Sequence, residues 1–247
     1  MAPAENHLIE LLPKADRERL LTVCEPVQLM TGEVLCDRDE PLRHVYFPVD
    51  GYVSLVVQIE SHPSLEVGMV GREGMVGAPI ILGVESVLLR ARVQGPGLAW
   101  RVGSMAFKRQ LALGAALRRV LQRFMYVRLS QMAASAACLR FHLIEPRLAR
   151  WLLMSQDRAH AEQFHVTHEF LACTLGVRRV GITAAAGALQ RRGLITYHRG
   201  DVRVQDRKGL EQAACSCYAS DLATYHEHMT MAEGPATLLR ESKVAVG

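Results

Sequence analysis

The sequence predicts an α+β fold: an N-terminal antiparallel β-roll, then a long helix, then a winged helix-turn-helix. Short runs of apolar residues separated by glycines fill residues 1–110, a run without glycine or proline follows Gly114, and two helical patterns flank Gly176. The predicted domains are a β-roll with N-terminal helices (1–110), a dimerisation helix (111–138), a winged helix-turn-helix (139–210), and a C-terminal helix with a mobile tail (211–247).

The N-terminal part combines two short helices with many short strands. Leucines and isoleucines recur at helical spacing in residues 7–23 on either side of Pro13, which predicts two short amphipathic helices. From residue 25 to 102 apolar residues alternate within short runs, as at Val45, Phe47 and Val53, and glycines mark the turns. Many short strands of this kind predict an antiparallel roll, whose interior could hold a ligand.

The run after Gly114 predicts one uninterrupted helix that pairs with its twin. Its residues recur at alternating intervals of three and four, which is the seven-residue repeat of a coiled coil. The predicted dimer interface consists of Leu117, Val120, Phe124, Val127, Gln131 and Ala134. The alternative is a helix packed against its own roll, because the repeat covers barely three heptads.

Residues 167–192 carry the pattern of a helix-turn-helix. Gly176 can adopt a positive φ and turn the chain sharply, Ala172 is small enough for the helices to approach, and Ile182 can fill the space between them. The second helix is expected to begin near Arg178 and Arg179, at the end that enters a DNA major groove. A buried helical hairpin with a solvated arginine pair is the alternative.

A predicted β-hairpin follows directly. Two short β-rich runs flank Arg199-Gly200-Asp201, a hairpin signal, and a hairpin after a basic helix-turn-helix makes a winged helix. Basic residues on this wing or at its exit are expected to meet phosphates. They are Arg199, Arg203, Arg207 and Lys208.

Charge divides unevenly along the chain. The net charge is +4, but residues 1–110 carry 11 Lys and Arg against 14 Asp and Glu, whereas residues 111–210 carry 16 against 6. Such a division is expected when an acidic or neutral sensor is joined to a DNA-binding half. Because no apolar run could span a bilayer and no secretion signal begins the chain, we expect a cytoplasmic protein without membrane contact.

The order of roll, long helix, helix-turn-helix and wing resembles the Crp-Fnr family of bacterial transcription regulators over residues 8–208. The resemblance is carried by Gly32 to Leu35, Val45 to Gly51, Gly68 to Gly77, Leu175 to Val177, Leu189, and Gly193 to Ile195. It implies a cyclic-nucleotide-binding-like roll, a homodimer, and binding of double-stranded DNA at an operator with two half-sites. RNA polymerase is a further candidate partner, and no enzymatic activity is expected.

The resemblance also suggests where an effector would bind. Relatives that bind cyclic nucleotides hold the ribose with a Gly-Glu pair and the phosphate with an Arg-Ser/Thr pair, and the corresponding candidates are Glu73, Arg90 and Arg92. The hydroxyl residue after the arginine is replaced here and the spacing is altered. Cyclic nucleotide binding is therefore in doubt, and the existence of any small-molecule effector stays open.

The candidate recognition helix departs from the cyclic-AMP branch as well. The positions that carry Arg-Glu and a further Arg in that branch are Arg179, Val180 and Ala184 here, so the acceptor for cytosine N4 is lost and a different operator is expected. Arg178 and Arg179 are candidates for guanine or phosphate contacts. Thr183 and Ala184 could touch thymine methyls, and Thr167 and His168 could meet phosphate.

The cysteines predict neither a disulfide scaffold nor a metal site. Six cysteines are spread along the chain without a C-x-x-C pair. Cys24 and Cys36 do not supply the cluster of an iron-sulfur relative, and the two thiols of Cys215 and Cys217 cannot complete a metal shell alone. No metal and no cofactor is therefore expected.

Two alternative functions remain open. One is a metal- or small-molecule-binding enzyme or carrier built on the roll, but His44, His62 and Glu66 lack the spacing of a metal-binding roll. The other is a constitutive DNA-binding protein whose roll serves only to dimerise.

Overall fold

The computed structural model describes residues 5–60, 64–159 and 163–230. Two helices precede the roll, α1 (His7–Glu10) and α2 (Lys14–Leu21), so the predicted break at Pro13 is confirmed. The buried Asn6 caps α1 with its side-chain oxygen and donates its amide to the carbonyl of Pro48 (2.8 Å), which ties the helix to the roll.

The roll consists of two antiparallel sheets. Its strands are β1 (Glu25–Leu29), β2 (Val34–Cys36), β3 (His44–Pro48), β4 (Tyr52–Val57), β5 (Leu65–Val70), β6 (Arg90–Gly95) and β7 (Gly97–Gly103). One sheet has the order β1-β7-β3 and the other the order β2-β6-β4-β5. The predicted α+β class with an N-terminal antiparallel roll is confirmed.

Apolar side chains fill the space between these two sheets. They come from alternate positions of facing strands, as period-two patterning requires. The buried set is Leu29, Tyr46, Val53, Val70, Val76, Ala91, Val93 and Ala99. In the described part of the roll, these side chains form a packed core between the sheets. Binding of a ligand by the roll stays a prediction.

Three helices lead from the roll to the second half of the chain. They are α3 (Ser104–Leu113), α4 (Ala115–Phe141) and α5 (Ile144–Ala159). A sharp bend at His142 and Leu143 separates α4 from α5, because His142 leaves the helical region with φ −99° and ψ 142°. The bounds differ from the predicted 111–138, since Gly114 ends α3 and α4 continues past Cys138.

The predicted dimer interface on α4 is wrong for its main residues. Leu117, Val120, Phe124 and Val127 are between 1% and 4% exposed within the single chain, in one core with Phe47 of the roll. The other two, Gln131 and Ala134, are half-buried. The seven-residue repeat exists because one face of α4 packs on its own roll, which was the alternative interpretation.

A second apolar row on α4 is exposed to solvent, apart from its half-buried first residue, Met125. It recurs at intervals of four and three, offset from the buried row, and we call it the outer face of α4. It consists of Met125, Leu129, Met132, Ala136 and Leu139. Leu129 is 62% exposed although it lies mid-helix. Such an apolar row, repeated at heptad spacing in water, is typical of a helix that pairs with another.

The second half contains the helix-turn-helix, a small sheet and two further helices. Its elements are β8 (Gln163–His165), α6 (His168–Leu175), α7 (Arg179–Arg191), β9 (Ile195–His198), β10 (Asp201–Val204), α8 (Arg207–Ala213) and α9 (Cys217–Met229). Helix α9 packs along α4, where His228 stacks edge-on against Tyr126 with ring centroids 4.7 Å apart. The predicted mobile tail lies outside the described residues.

The two halves share one core. Tyr52 and Met69 of the roll are buried in the same cluster as Leu148 of α5 and Leu171 of α6. The roll and the helix-turn-helix are therefore in direct contact, and the position of one constrains the other.

Buried hydrogen bonds also join the roll to α5. Trp151 Nε1 of α5 donates to Glu66 Oε1 of β5 at 2.9 Å, and Ser54 of β4 donates to the other carboxylate oxygen. Burial raises the pKa of Glu66 to about 7, although both hydrogen bonds oppose the shift. Glu66 therefore keeps its proton in the folded protein at pH values where an exposed carboxyl has lost it.

Every helix in the described ranges is too short or too polar to traverse a lipid bilayer.

We predict that Glu66 makes the fold less stable as the pH rises. The unfolded chain releases this proton near pH 4.5 and the folded chain near pH 7. Between these values the folded state binds more protons, so the free energy of unfolding falls with pH, by up to about 3 kcal/mol for this group. Urea unfolding at pH 5 and pH 8 should show that Glu66→Gln gains stability relative to wild type at the higher pH.

The exposed Glu40 supplies the matched control, because Glu40→Gln removes a carboxylate that faces solvent. Its pH profile should run parallel to that of wild type. A Glu66→Gln profile that is also parallel would show that Glu66 ionises as an exposed carboxyl does.

Candidate DNA-binding surface

The turn of the helix-turn-helix is made by Gly176. Its φ of +61° ends α6 in the left-handed conformation, and the N–H of Val177 returns to the carbonyl of Ala172 at 2.9 Å. Ile182 of α7 is 0% exposed and closes the space between the helices. The predicted roles of Ala172, Gly176 and Ile182 are thus confirmed.

The first turn of α6 is tied to α7 by side chains. Thr167 caps α6, since its hydroxyl oxygen accepts from the N–H of Phe170 at 3.1 Å. His168 Nδ1 of α6 lies 3.1 Å from the hydroxyl oxygen of Thr183 of α7, and this hydroxyl lies 3.2 Å from the carbonyl oxygen of Arg179. Burial, and then the nearby Arg179, lower the pKa of His168.

The tip of α7 is presented to solvent. Arg178 is the N-cap of α7 and Arg179 its first residue, and both are exposed. Val180 beside them is 72% exposed. Thr183 and Ala184 follow one turn later and are exposed as well, whereas Ala185, Ala186 and Leu189 are buried behind them. This face therefore offers two guanidinium groups and a short apolar strip that can reach base edges.

The wing has the turn that a two-residue hairpin requires. Arg199 and Gly200 both have positive φ, +50° and +93°, which is the type I′ geometry favoured between paired strands. The sheet order is β8-β10-β9. The sequence indicates β9 and β10 but not β8, because three residues give too short a pattern.

Four of the predicted DNA-binding residues converge on one concave surface. Thr167, His168, Arg179 and Arg199 line a cleft of about 320 Å³ together with Gln190, Tyr197 and Gly200. Tyr197 packs edge-on against His168, with ring centroids 4.5 Å apart, and joins the wing to α6. Hydroxyl, imidazole and guanidinium groups arranged around one concavity can bind a phosphate.

The basic residues of the wing and its exit differ in their exposure and in their ion pairs. Arg203 is exposed on β10, where Val202 and Val204 alternate with it and are buried. Lys208 is also exposed. Arg207 pairs with Asp157 at 2.6 Å and with Glu211 at 2.9 Å, so a phosphate would compete with these two carboxylates. That Arg207 meets phosphate stays a prediction.

The predicted effector-binding residues do not form one site. Glu73 pairs with Arg158 of α5 at 2.8 Å. Arg90 pairs with Asp37 through two bonds of 2.8 and 2.9 Å, which hold the pKa of that carboxyl below its usual range. Arg92 is exposed on the same side of β6, since Ala91 and Val93 take the inward positions. Strand alternation thus turns both arginines away from the interior.

Comparisons with known proteins agree with this architecture. Residues 146–213 match the family model of the Crp-like helix-turn-helix domain. No curated protein matches the chain by sequence.

Several solved structures share the fold over most of the chain. FixK2 from Bradyrhizobium japonicum has a TM-score of 0.66 at 17% identity, covering 78% of this chain and 98% of its own. The c-di-GMP-responsive global regulator CLP from Xanthomonas campestris has a TM-score of 0.63 at 19% identity, with coverage of 78% and 99%. A Crp/Fnr-family regulator from Thermus thermophilus has a TM-score of 0.62 at 21% identity, with coverage of 77% and 98%.

These matches bear out the sequence-based resemblance, and they give no support to an enzyme or carrier built on the roll. The chain carries a Crp-like helix-turn-helix domain within the overall fold of the Crp/Fnr transcription regulators.

Proposed function

We propose that this protein is a sequence-specific transcription regulator that acts as a homodimer on an operator with two half-sites. The observation that carries the proposal is the exposed arginine-bearing tip of α7, next to a wing that shares its concave surface. In such a domain the second helix enters the major groove while neighbouring groups hold the backbone. Its duplex DNA target would be bound in the cytoplasm.

The exposed residues divide into base-reading and backbone-positioning groups. Arg178 and Arg179 would read guanine, and Thr183 and Ala184 would touch thymine methyls. Because Val180 stands where an acidic residue would accept from cytosine, its apolar side chain favours a thymine methyl there. Backbone contacts would come from Thr167, His168, Arg199 and Arg203.

The dimer would form through the outer face of α4. Leu129 and Met132 of this face are 62% and 42% exposed, and Phe141, the last residue of α4, and Leu143, just beyond the helix, are 74% and 79% exposed. Burying this row against the same row of a second chain would remove the largest run of exposed apolar side chains on the helix. Two copies of α7 would then be fixed relative to each other, as two half-sites about 34 Å apart require.

Contact with RNA polymerase and binding of a small-molecule effector stay predictions from the resemblance. The separation of Glu73 from Arg90 and Arg92 favours an effector other than a cyclic nucleotide, or none.

We predict that the α7 arginines supply part of the affinity for DNA. Arg179→Ala should weaken binding to a duplex selected from a random-sequence pool by about 1–3 kcal/mol if it contacts a base, and Arg178→Ala by a similar amount. A residue that contacts only phosphate should instead lower the slope of log K against log salt by about 1. Fluorescence anisotropy at several salt concentrations measures both quantities.

Arg43→Ala is the charge-matched control, because Arg43 is exposed on the roll next to β3. It should leave both the affinity and the salt slope unchanged. Equal binding by wild type and both α7 variants would remove the tip of α7 from the interface.

We predict that the outer face of α4, and not its buried row, controls dimerisation. Leu129→Glu places a charge in the proposed interface and should give monomers in sedimentation equilibrium, with an unchanged circular dichroism spectrum. Phe124→Ala lies on the buried row and should lower the free energy of unfolding by about 3–5 kcal/mol while the folded protein stays dimeric. A Leu129→Glu protein that remains dimeric would place the interface elsewhere.

A further inference from the structure

Four metal-ligating side chains meet where α4 ends and α9 begins. They are Cys138, His142, Cys215 and Cys217, and their ligand atoms all lie within 4.8 Å of one another. Cys138 and His142 are four residues apart, so they lie on one side of the last turn of α4. Cys215 and Cys217 flank Ser216, the N-cap of α9.

Two of the distances between these atoms are close to those between ligands of one tetrahedral ion. Cys138 Sγ and Cys215 Sγ are 3.6 Å apart, and Cys217 Sγ and His142 Nδ1 are 3.5 Å apart. An ion bound to sulfur at about 2.3 Å and to nitrogen at about 2.0 Å separates two sulfurs by about 3.8 Å and a sulfur from a nitrogen by about 3.5 Å. These two pairs differ from those values by no more than about 0.2 Å, and all the ligand atoms lie within 4.8 Å of one another.

We propose that Cys138, His142, Cys215 and Cys217 hold a structural Zn²⁺ ion. Three thiolates and one imidazole are a ligand set that zinc prefers, and four protein ligands leave no open position for a substrate. The site is sheltered, since Cys138 is 2% exposed and Cys215 7%. Such a closed site stabilises the fold and does not catalyse. It therefore gives no support to the alternative function of an enzyme built on the roll.

The surroundings suit the charge of this complex. Zn²⁺ with three thiolates and a neutral imidazole carries one net negative charge. Arg147 is buried nearby and donates to the carbonyl of Leu175, and no described carboxylate pairs with it. Burial, the larger effect, lowers the pKa of Arg147, and the thiols of Cys138 and Cys215 oppose this shift. An anionic metal centre would compensate the buried guanidinium.

The ion would anchor α9 across the joint between the two halves. His142 lies at the bend between α4 and α5, and the N–H of Cys215 donates to the carbonyl of Pro146 at 3.2 Å. At the other end of α9, the hydroxyl of Tyr225 donates to the carbonyl of Glu73 in the roll at 2.7 Å. Helix α9 thus connects the bend between α4 and α5 to the roll, and zinc holds the N-terminal end of the helix in place.

Other uses of the same cysteines fit the geometry less well. A Cys138–Cys215 disulfide would leave Cys217 and His142 facing each other without a role. Four ligand atoms within 4.8 Å of one another surround a single ion and leave no room for a cluster of several irons. Residues 138 and 215 are also far apart in sequence. The complete set of ligands therefore exists only in the folded chain, so that metal binding would stabilise the fold.

The first test is the metal content of the protein purified under reducing conditions. Wild type and Cys24→Ser, which alters a cysteine outside the cluster, should each contain one zinc ion per chain by plasma mass spectrometry. Cys217→Ser should lose most of it, because one of the four ligands is removed. Zinc-free wild type, or equal zinc in Cys217→Ser, would overturn the proposal.

The second test does not depend on the folding of a variant. Chelated wild type titrated with Co²⁺ should show the intense visible bands of tetrahedral cobalt and a thiolate charge-transfer band, saturating at one equivalent. Chelation should also speed hydrogen exchange in α9 relative to α7. Octahedral cobalt without charge transfer, or a Cys138–Cys215 disulfide in the purified chain, would contradict the site. Neither test requires DNA, so failure here leaves the proposed regulator intact.

Discussion

The packing of one face of α4 on the roll is the interaction on which the rest of the structure depends. Leu117, Val120 and Phe124 bury this face in the same core as Phe47 and Phe107. Because these positions are used within the chain, only the offset row with Leu129 remains for a partner. The same contact fixes the direction of α4. It therefore also fixes the position of the bend at His142 and of the helix-turn-helix that follows.

Buried polar contacts define how α4 sits on the roll. Arg128 of α4 donates to the carbonyl of Met69 at 3.1 Å and to Gln131 at 3.0 Å, and burial lowers its pKa to about 10. A Cβ at Gly68 would lie 2.6 Å from this guanidinium, so a side chain at this position would displace Arg128. Directional bonds of this kind favour one arrangement of roll and helix, whereas apolar contacts alone would tolerate several.

The DNA-binding half could be predicted from the sequence because its signals are local. The rest of the structure was harder to predict because it depends on contacts between residues that are far apart in sequence. Gly176, Ile182 and the Arg199-Gly200 turn act within a few residues, and each has the predicted conformation. On α4 two heptad rows coexist, and periodicity cannot tell which row meets the roll. The cysteine cluster joins residues 138 and 215, a distance in sequence over which no spacing rule applies. Only the resemblance to the family places Glu73 and Arg90 in one site. In the structure each of them pairs with a different residue.

The measurement that tests the central claim most directly is selection of bound duplexes from a random-sequence pool. If α4 pairs two chains and holds two copies of α7 in successive major grooves, the enriched DNA will contain a two-fold symmetric motif with half-site centres about 10 base pairs apart. A single asymmetric half-site, or no enrichment over the starting pool, would contradict this account.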